Sequence, residues 1–159
     1  MTTRHVIQLL VLLMTFAISS CASRGEPQES NLGNRYKHSF EFMWNQTGAE
    51  LKERWSIDLE GTEKKNGVIR TAWDVNLHPQ SMRGRRRRLT ITIEGDIRKG
   101  YEVTALAEEE VNTEMVNPLS KEEADWDPTA ASEGIADRFL ISLYRRLNPR
   151  RSWELDKAR

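Results

Sequence analysis

Beyond an apolar opening stretch, hydrophobic positions fall into six periodic blocks, two with helical spacing and four that alternate. In the first block Phe40, Trp44, Thr47 and Leu51 recur at steps of four and three. They follow Ser39, whose side chain can accept from the free N–H groups that open a helix. The spacing predicts a helix over 39–53. Gly48 inside it costs about 0.5–1 kcal/mol relative to Ala and would allow close packing against a sheet. Trp55, Ile57 and Leu59 then alternate with Ser56 and Asp58, and the polar run from Glu60 closes on Asn66-Gly67, a strong hairpin signal. Ile69, Thr71, Trp73, Val75 and Leu77 share one face of the next strand, which His78-Pro79 ends. Leu89, Ile91 and Ile93 mark a third strand. After a turn over Gly95–Gly100, Tyr101, Val103, Ala105, Ala107 and Val111 mark a fourth. Residues 116–131 are irregular, with Pro118, Pro128 and many acids. The clearest helical pattern is Ile135, Ala136, Phe139, Leu140, Leu143 and Leu147, starting near Thr129 or Ser132 and stopped by Asn148-Pro149.

The order α-β-β-β-β-α with short connections predicts an α+β, two-layer fold. A four-stranded antiparallel meander would carry the N-terminal and C-terminal helices on one face and water on the other. The expected core is Phe40, Trp44, Leu51, Ile57, Leu59, Ile69, Trp73, Val75, Leu89, Ile91, Ile93, Val103, Ala105, Phe139, Leu140, Leu143 and Leu147.

The opening stretch reads as an address. Arg4 and the α-amino group form a positive start, and Val6–Ile18 is apolar apart from Gln8 and Thr15. Its 13 residues suit a secretory signal and fall short of the roughly 20 that span a bilayer. Ile18-Ser19-Ser20-Cys21 then resembles the lipobox of bacterial lipoproteins, in which the cysteine is lipidated and becomes the first mature residue. Cys21 is the single cysteine of the chain, and a thiolate is well suited to take up a diacylglyceryl group as a thioether. The resemblance implies diacylglycerol and an N-acyl chain such as palmitate on Cys21, and Ala22 after it implies the outer rather than the inner membrane. Two or three acyl chains anchor firmly where one is marginal.

The domains expected are a signal peptide over 1–20, the lipidated cysteine with a flexible tether over 21–35, an α+β domain over 36–149 and a charged tail over 150–159. The tether is polar, with Gly25, Pro27 and Gly33, and Leu32 as its large apolar residue, a composition that buries little.

Of the 159 residues, 24 are Lys or Arg and 24 are Asp or Glu, which removes the basic excess expected of a nucleic-acid binder. One cysteine excludes an intrachain disulfide framework and a cysteine-rich metal site. After loss of residues 1–20, His38 and His78 stand 40 positions apart, without metal-ligand spacing. No nucleophile motif, zinc-protease motif or phosphate-loop glycine pattern occurs, so no catalytic residue, cofactor or metal is expected.

Arg83, Arg85, Arg86, Arg87 and Arg88 open the third strand, and Glu108-Glu109-Glu110 closes the fourth. If Ile93 lies opposite Tyr101 or Val103, antiparallel pairing sets the arginines beside the glutamates and penalises wrong registers. The alternative is a patch that contacts lipid phosphates or an acidic partner. Trp126, between Asp125 and Asp127, is either a partner anchor or a ring folded back over the sheet.

The chain resembles small bacterial outer-membrane lipoproteins. Its layout is similar to the helix-grip domains of the C lipoprotein of the β-barrel assembly machinery, through Phe40, Trp44 and Leu51, the Gly67–Trp73 segment and Leu147. The resemblance implies a non-catalytic, lipid-anchored accessory or scaffold subunit of an envelope complex on the periplasmic face of the outer membrane. A lipid- or lipopolysaccharide-binding protein using Arg83–Arg88 is the alternative.

Overall fold

A computed structural model describes residues 25–55, 59–77, 83–132 and 134–149. Ile18, Ser19, Ser20, Cys21, Ile57, His78, Trp153 and the tail lie outside them. The strands are β1 (Gln28–Asn31), β2 (Leu59–Glu63), β3 (Val68–Thr71), β4 (Asp74–Asn76), β5 (Arg85–Asp96), β6 (Gly100–Asn112) and β7 (Trp126–Thr129). The helices are α1 (Phe40–Ala49), continued by a π-helical turn (Glu50–Arg54), and α2 (Ile135–Leu147).

The β5–β6 hairpin is the axis of the molecule. Its register puts Ile93 opposite Val103 and Leu89 opposite Ala107. At its turn Asp96 Oδ1 accepts from the N–H groups of Arg98 and Lys99, between glycines with positive φ. Nearer that turn, β3 and then β2 extend the sheet beyond β5, while β1 lies along β6. At the open end, β4 pairs with β5 and β7 with β6. Among the described residues the fold is α+β, antiparallel and two-helix as expected, but the sheet has seven strands rather than four.

Each extra strand has a local cause. β1 lies inside the stretch read as a flexible tether. Its polar side chains bury little, but its backbone satisfies the open edge of Thr104–Ala107, a gain that side-chain composition does not reveal. The sheet therefore takes in residues 28–31, ahead of residue 36. β2 runs over Leu59–Glu63, beyond the alternation read over 55–59, of which 56–58 lie outside the described residues, because the turn is confined to Lys64–Gly67, where Gly67 takes φ 70°. β7 comes from the region read as irregular, with Pro128 on an edge strand, where a missing N–H is tolerated.

The single strand expected over 69–77 is two strands joined by a bulge. Arg70 faces Thr90 and Asp74 faces Arg87, so Thr71, Ala72 and Trp73 span the place of Arg88 and Leu89. The additional residue inverts the alternation. Thr71 stays buried and its Oγ1 accepts from Leu89 N at 2.9 Å. Trp73 and Val75 move to the opposite face and leave the expected core.

Both helices cover the other face. All six residues expected for α2 are buried. Ser39 caps α1 through Phe42 N at 3.3 Å, but the face that α1 buries is Met43, Thr47, Glu50 and Leu51. Phe40, Trp44 and Leu59 are half-buried at the rim of the core, and Tyr36, Met43, Ala107, Ile135 and Ala136 join it. Gly48 has open space around it, so it mediates no close approach to the sheet. Glu50, fully buried in the π turn, accepts from Ser142 Oγ on α2. Arg146 then spans the helix pair, reaching Gln46 at 2.9 Å, Glu50 at 3.4 Å and Glu53 at 2.9 Å.

Candidate functional site

The arginine run and the glutamate run face each other at the open end of the β5–β6 hairpin, because the Ile93–Val103 register carries Arg86 to Glu110 and Arg88 to Glu108. Alternation along β5 then divides the arginines between the two sheet faces.

Arg86 and Arg88 occupy the face away from the helices. Arg88 donates from Nε and Nη2 to the two oxygens of Glu108, at 2.6 and 3.0 Å. This fork holds the Glu108 carboxyl below its usual range, against the opposing effect of burial, and raises the Arg88 guanidinium. Arg86 donates to Glu110 at 2.6 Å. Its guanidinium lies 4.6 Å from the ring centre of Trp73 and 4.8 Å from that of Trp126. Arg88 lies 4.4 Å from Trp73. Trp126 therefore folds back over the sheet, and the tryptophan displaced by the bulge becomes the centre of a ladder of alternating rings and cations.

Arg85 and Arg87 sit on the helix side. Glu109, with 4% of its side chain exposed, takes Arg85 Nη1 at 2.7 Å. It also accepts from Ser132 N at 2.8 Å and Ser132 Oγ at 2.7 Å. Burial pushes this carboxyl up, and the hydrogen bonds from Ser132 and Arg85 outweigh it, leaving a net lowering. Arg87 pairs with Asp74 at 3.0 Å. These residues line an open polar groove of about 450 Å3 with Asn76. Arg83 is exposed beside the groove's end of β5. The four arginines of the run that lie in β5 thus each carry a carboxylate, from Glu108–Glu110 for Arg85, Arg86 and Arg88 and from Asp74 for Arg87.

A second open pocket, of about 510 Å3, lies between Arg35, Tyr36, Lys37, His38, Tyr144 and Asn148. Burial, reinforced by Tyr144 and opposed by Asn34, pushes the Tyr36 hydroxyl up to about 12. Among the described residues no three His, Cys, Asp or Glu side chains converge as metal ligands.

Sequence reasoning passed over the loop between β6 and β7. Asn112, buried at its root, donates to Pro118 O at 3.0 Å and accepts from Glu114 N and Asp125 N at 3.0 and 3.2 Å. Thr113 N binds Asp125 O at 2.8 Å, and Glu114 Oε1 caps Val116 N at 2.6 Å. So pinned, the loop leaves Met115, Val116 and Leu119 exposed at 74%, 84% and 59%. The available signal was three large apolar residues, without helix or strand period, amid acids. Comparison of the sequence with protein-family models and with curated proteins found no match.

Proposed function

We propose that the chain is a lipid-anchored envelope protein, tethered through Cys21 to the periplasmic face of the outer membrane. It works there as a non-catalytic accessory or scaffold subunit of a larger complex. The observation that carries this reading is Ile18-Ser19-Ser20-Cys21, which closes a 13-residue apolar stretch over Val6–Ile18 in a chain with one cysteine. The ion pairing of Arg85–Arg88 favours the scaffold reading over phosphate binding. A guanidinium already held by a carboxylate must give up that partner to take a lipid phosphate. The ladder of Trp73 and Trp126 with the paired guanidiniums of Arg86 and Arg88 suits a docking module.

Affinity purification of the tagged protein from solubilised membranes, with Cys21→Ser as control, tests the reading. Stoichiometric recovery of envelope-complex subunits, lost in the control, is expected. Recovery of the protein alone with phospholipid or lipopolysaccharide attached contradicts it.

A further inference from the structure

The N-terminal approach of the chain and the β6–β7 loop lie toward the same end of the sheet. Traced backwards, β1 runs from Asn31 opposite Thr104 to Gln28 opposite Ala107, toward the loop. Gly25 then lies against β7, so closely that a Cβ there would come within 2.7 Å of the Pro128 backbone. Residues 22–24 alone separate Gly25 from Cys21, and such a segment reaches at most about 14 Å. The loop enters β7 at Trp126, two residues before Pro128 and so about 7 Å farther along the strand axis. A membrane that holds Cys21 is within reach of the loop tip, while the Asp96–Gly100 turn stands at the other end of β5, about 40 Å away.

What the loop presents there is apolar. Met115, Val116 and Leu119 project from a backbone fixed by Asn112 and Glu114. The neighbouring acids are turned to loop groups: Glu123 to Asn117 at 2.6 Å and Glu122 to Ser120 at 3.3 Å. With Glu114, Asp125 and Asp127 against Lys121, the segment remains acidic and is repelled by an anionic surface. We propose that Met115, Val116 and Leu119 insert into the interface of a zwitterionic leaflet, giving the domain a second membrane contact that fixes its orientation. This rests on the lipid anchor at Cys21.

The test uses the full lipidated protein in vesicles of phosphatidylcholine and phosphatidylethanolamine. Acylated Cys21 has no free thiol, so V116C and I97C each offer a single site for a nitrobenzoxadiazole probe. Ile97 is itself 69% exposed at the distal turn. The probe at 116 is expected to shift to shorter wavelength and lose most of its emission to nitroxide-bearing lipid, whereas the probe at 97 does neither. Part replacement with phosphatidylglycerol is expected to reduce the shift; a larger shift overturns the choice of zwitterionic lipid. A lipidated, vesicle-bound protein whose 116 probe stays in water overturns this inference alone. So does shielding of that probe by a bound protein without lipid. A chain without lipid overturns the anchor and the insertion together.

Discussion

Arg88 and Glu108 meet across the β5–β6 ladder through two parallel hydrogen bonds, of 2.6 and 3.0 Å, while the same guanidinium lies 4.4 Å from the ring centre of Trp73. The pair is only partly exposed, so its coupling in an Arg88→Ala/Glu108→Ala double-mutant cycle should reach about 0.5–1 kcal/mol. Arg88→Ala alone should cost about 1–2 kcal/mol, because the ring contact goes with it. The Glu108 carboxyl is lowered in the folded protein. Its stabilisation is therefore complete above the unfolded carboxylate pKa of about 4.3 and is lost as pH falls through the lower folded value. Denaturant midpoints from pH 7 to pH 2 should show that acid-side loss reduced in Glu108→Gln.

The ladder is centred on Trp73, whose ring centre has the Arg86 guanidinium at 4.6 Å and that of Arg88 at 4.4 Å, whereas among the described residues Trp126 has a single guanidinium over it, that of Arg86 at 4.8 Å. Trp73→Ala should destabilise by about 2–3 kcal/mol and Trp126→Ala by about 1 kcal/mol less. Equal losses in urea unfolding would contradict the ladder.

The bulge beneath Trp73 also marks where sequence reading stops. In α2, Ile135, Phe139, Leu140, Leu143 and Leu147 were legible because one amphipathic stripe faces one core. In β5 and β6, alternation narrowed the register to Ile93 opposite Tyr101 or Val103, and the structure takes Val103, which sets the arginines beside the glutamates. One inserted residue between Arg70 and Asp74 changes the face of everything after it and leaves no compositional trace. Gln28–Asn31 was illegible for another reason, since its pairing is made by backbone groups. Met43 was hidden by apolar neighbours on both sides, and the π turn carried the buried face of α1 to Glu50. The exposed loop residues belong to no period at all.

Two glycines should respond in opposite directions to alanine. Gly67 has φ 70°, and a Cβ there would lie 2.2 Å from Ile93 O. Gly67→Ala should therefore cost more than about 2 kcal/mol, left-handed strain and a backbone collision together. Gly48 lies in α1 with open space around it. Gly48→Ala should stabilise by about 0.5–1 kcal/mol, read as a higher denaturant midpoint.

Tyr36 should report on high pH. Its hydroxyl is raised to about 12 by burial and by Tyr144. Between about pH 10 and 12 the unfolded tyrosine loses its proton and the folded one keeps it, so stability falls as pH rises through that window. The loss should approach about 2–3 kcal/mol at the upper end. Tyr36→Phe should lack this component in denaturant midpoints measured from pH 9 to 12.

The anchor at Cys21 is tested by the intact mass and N-terminal sequence of the protein purified from membranes. The mature chain is expected to begin at Cys21, without residues 1–20, with an excess mass equal to a diacylglyceryl group and an amide-linked acyl chain. Cys21→Ser is expected to carry no such mass and to leave the membrane fraction. A chain that begins at another residue, or a free thiol on Cys21, would contradict it.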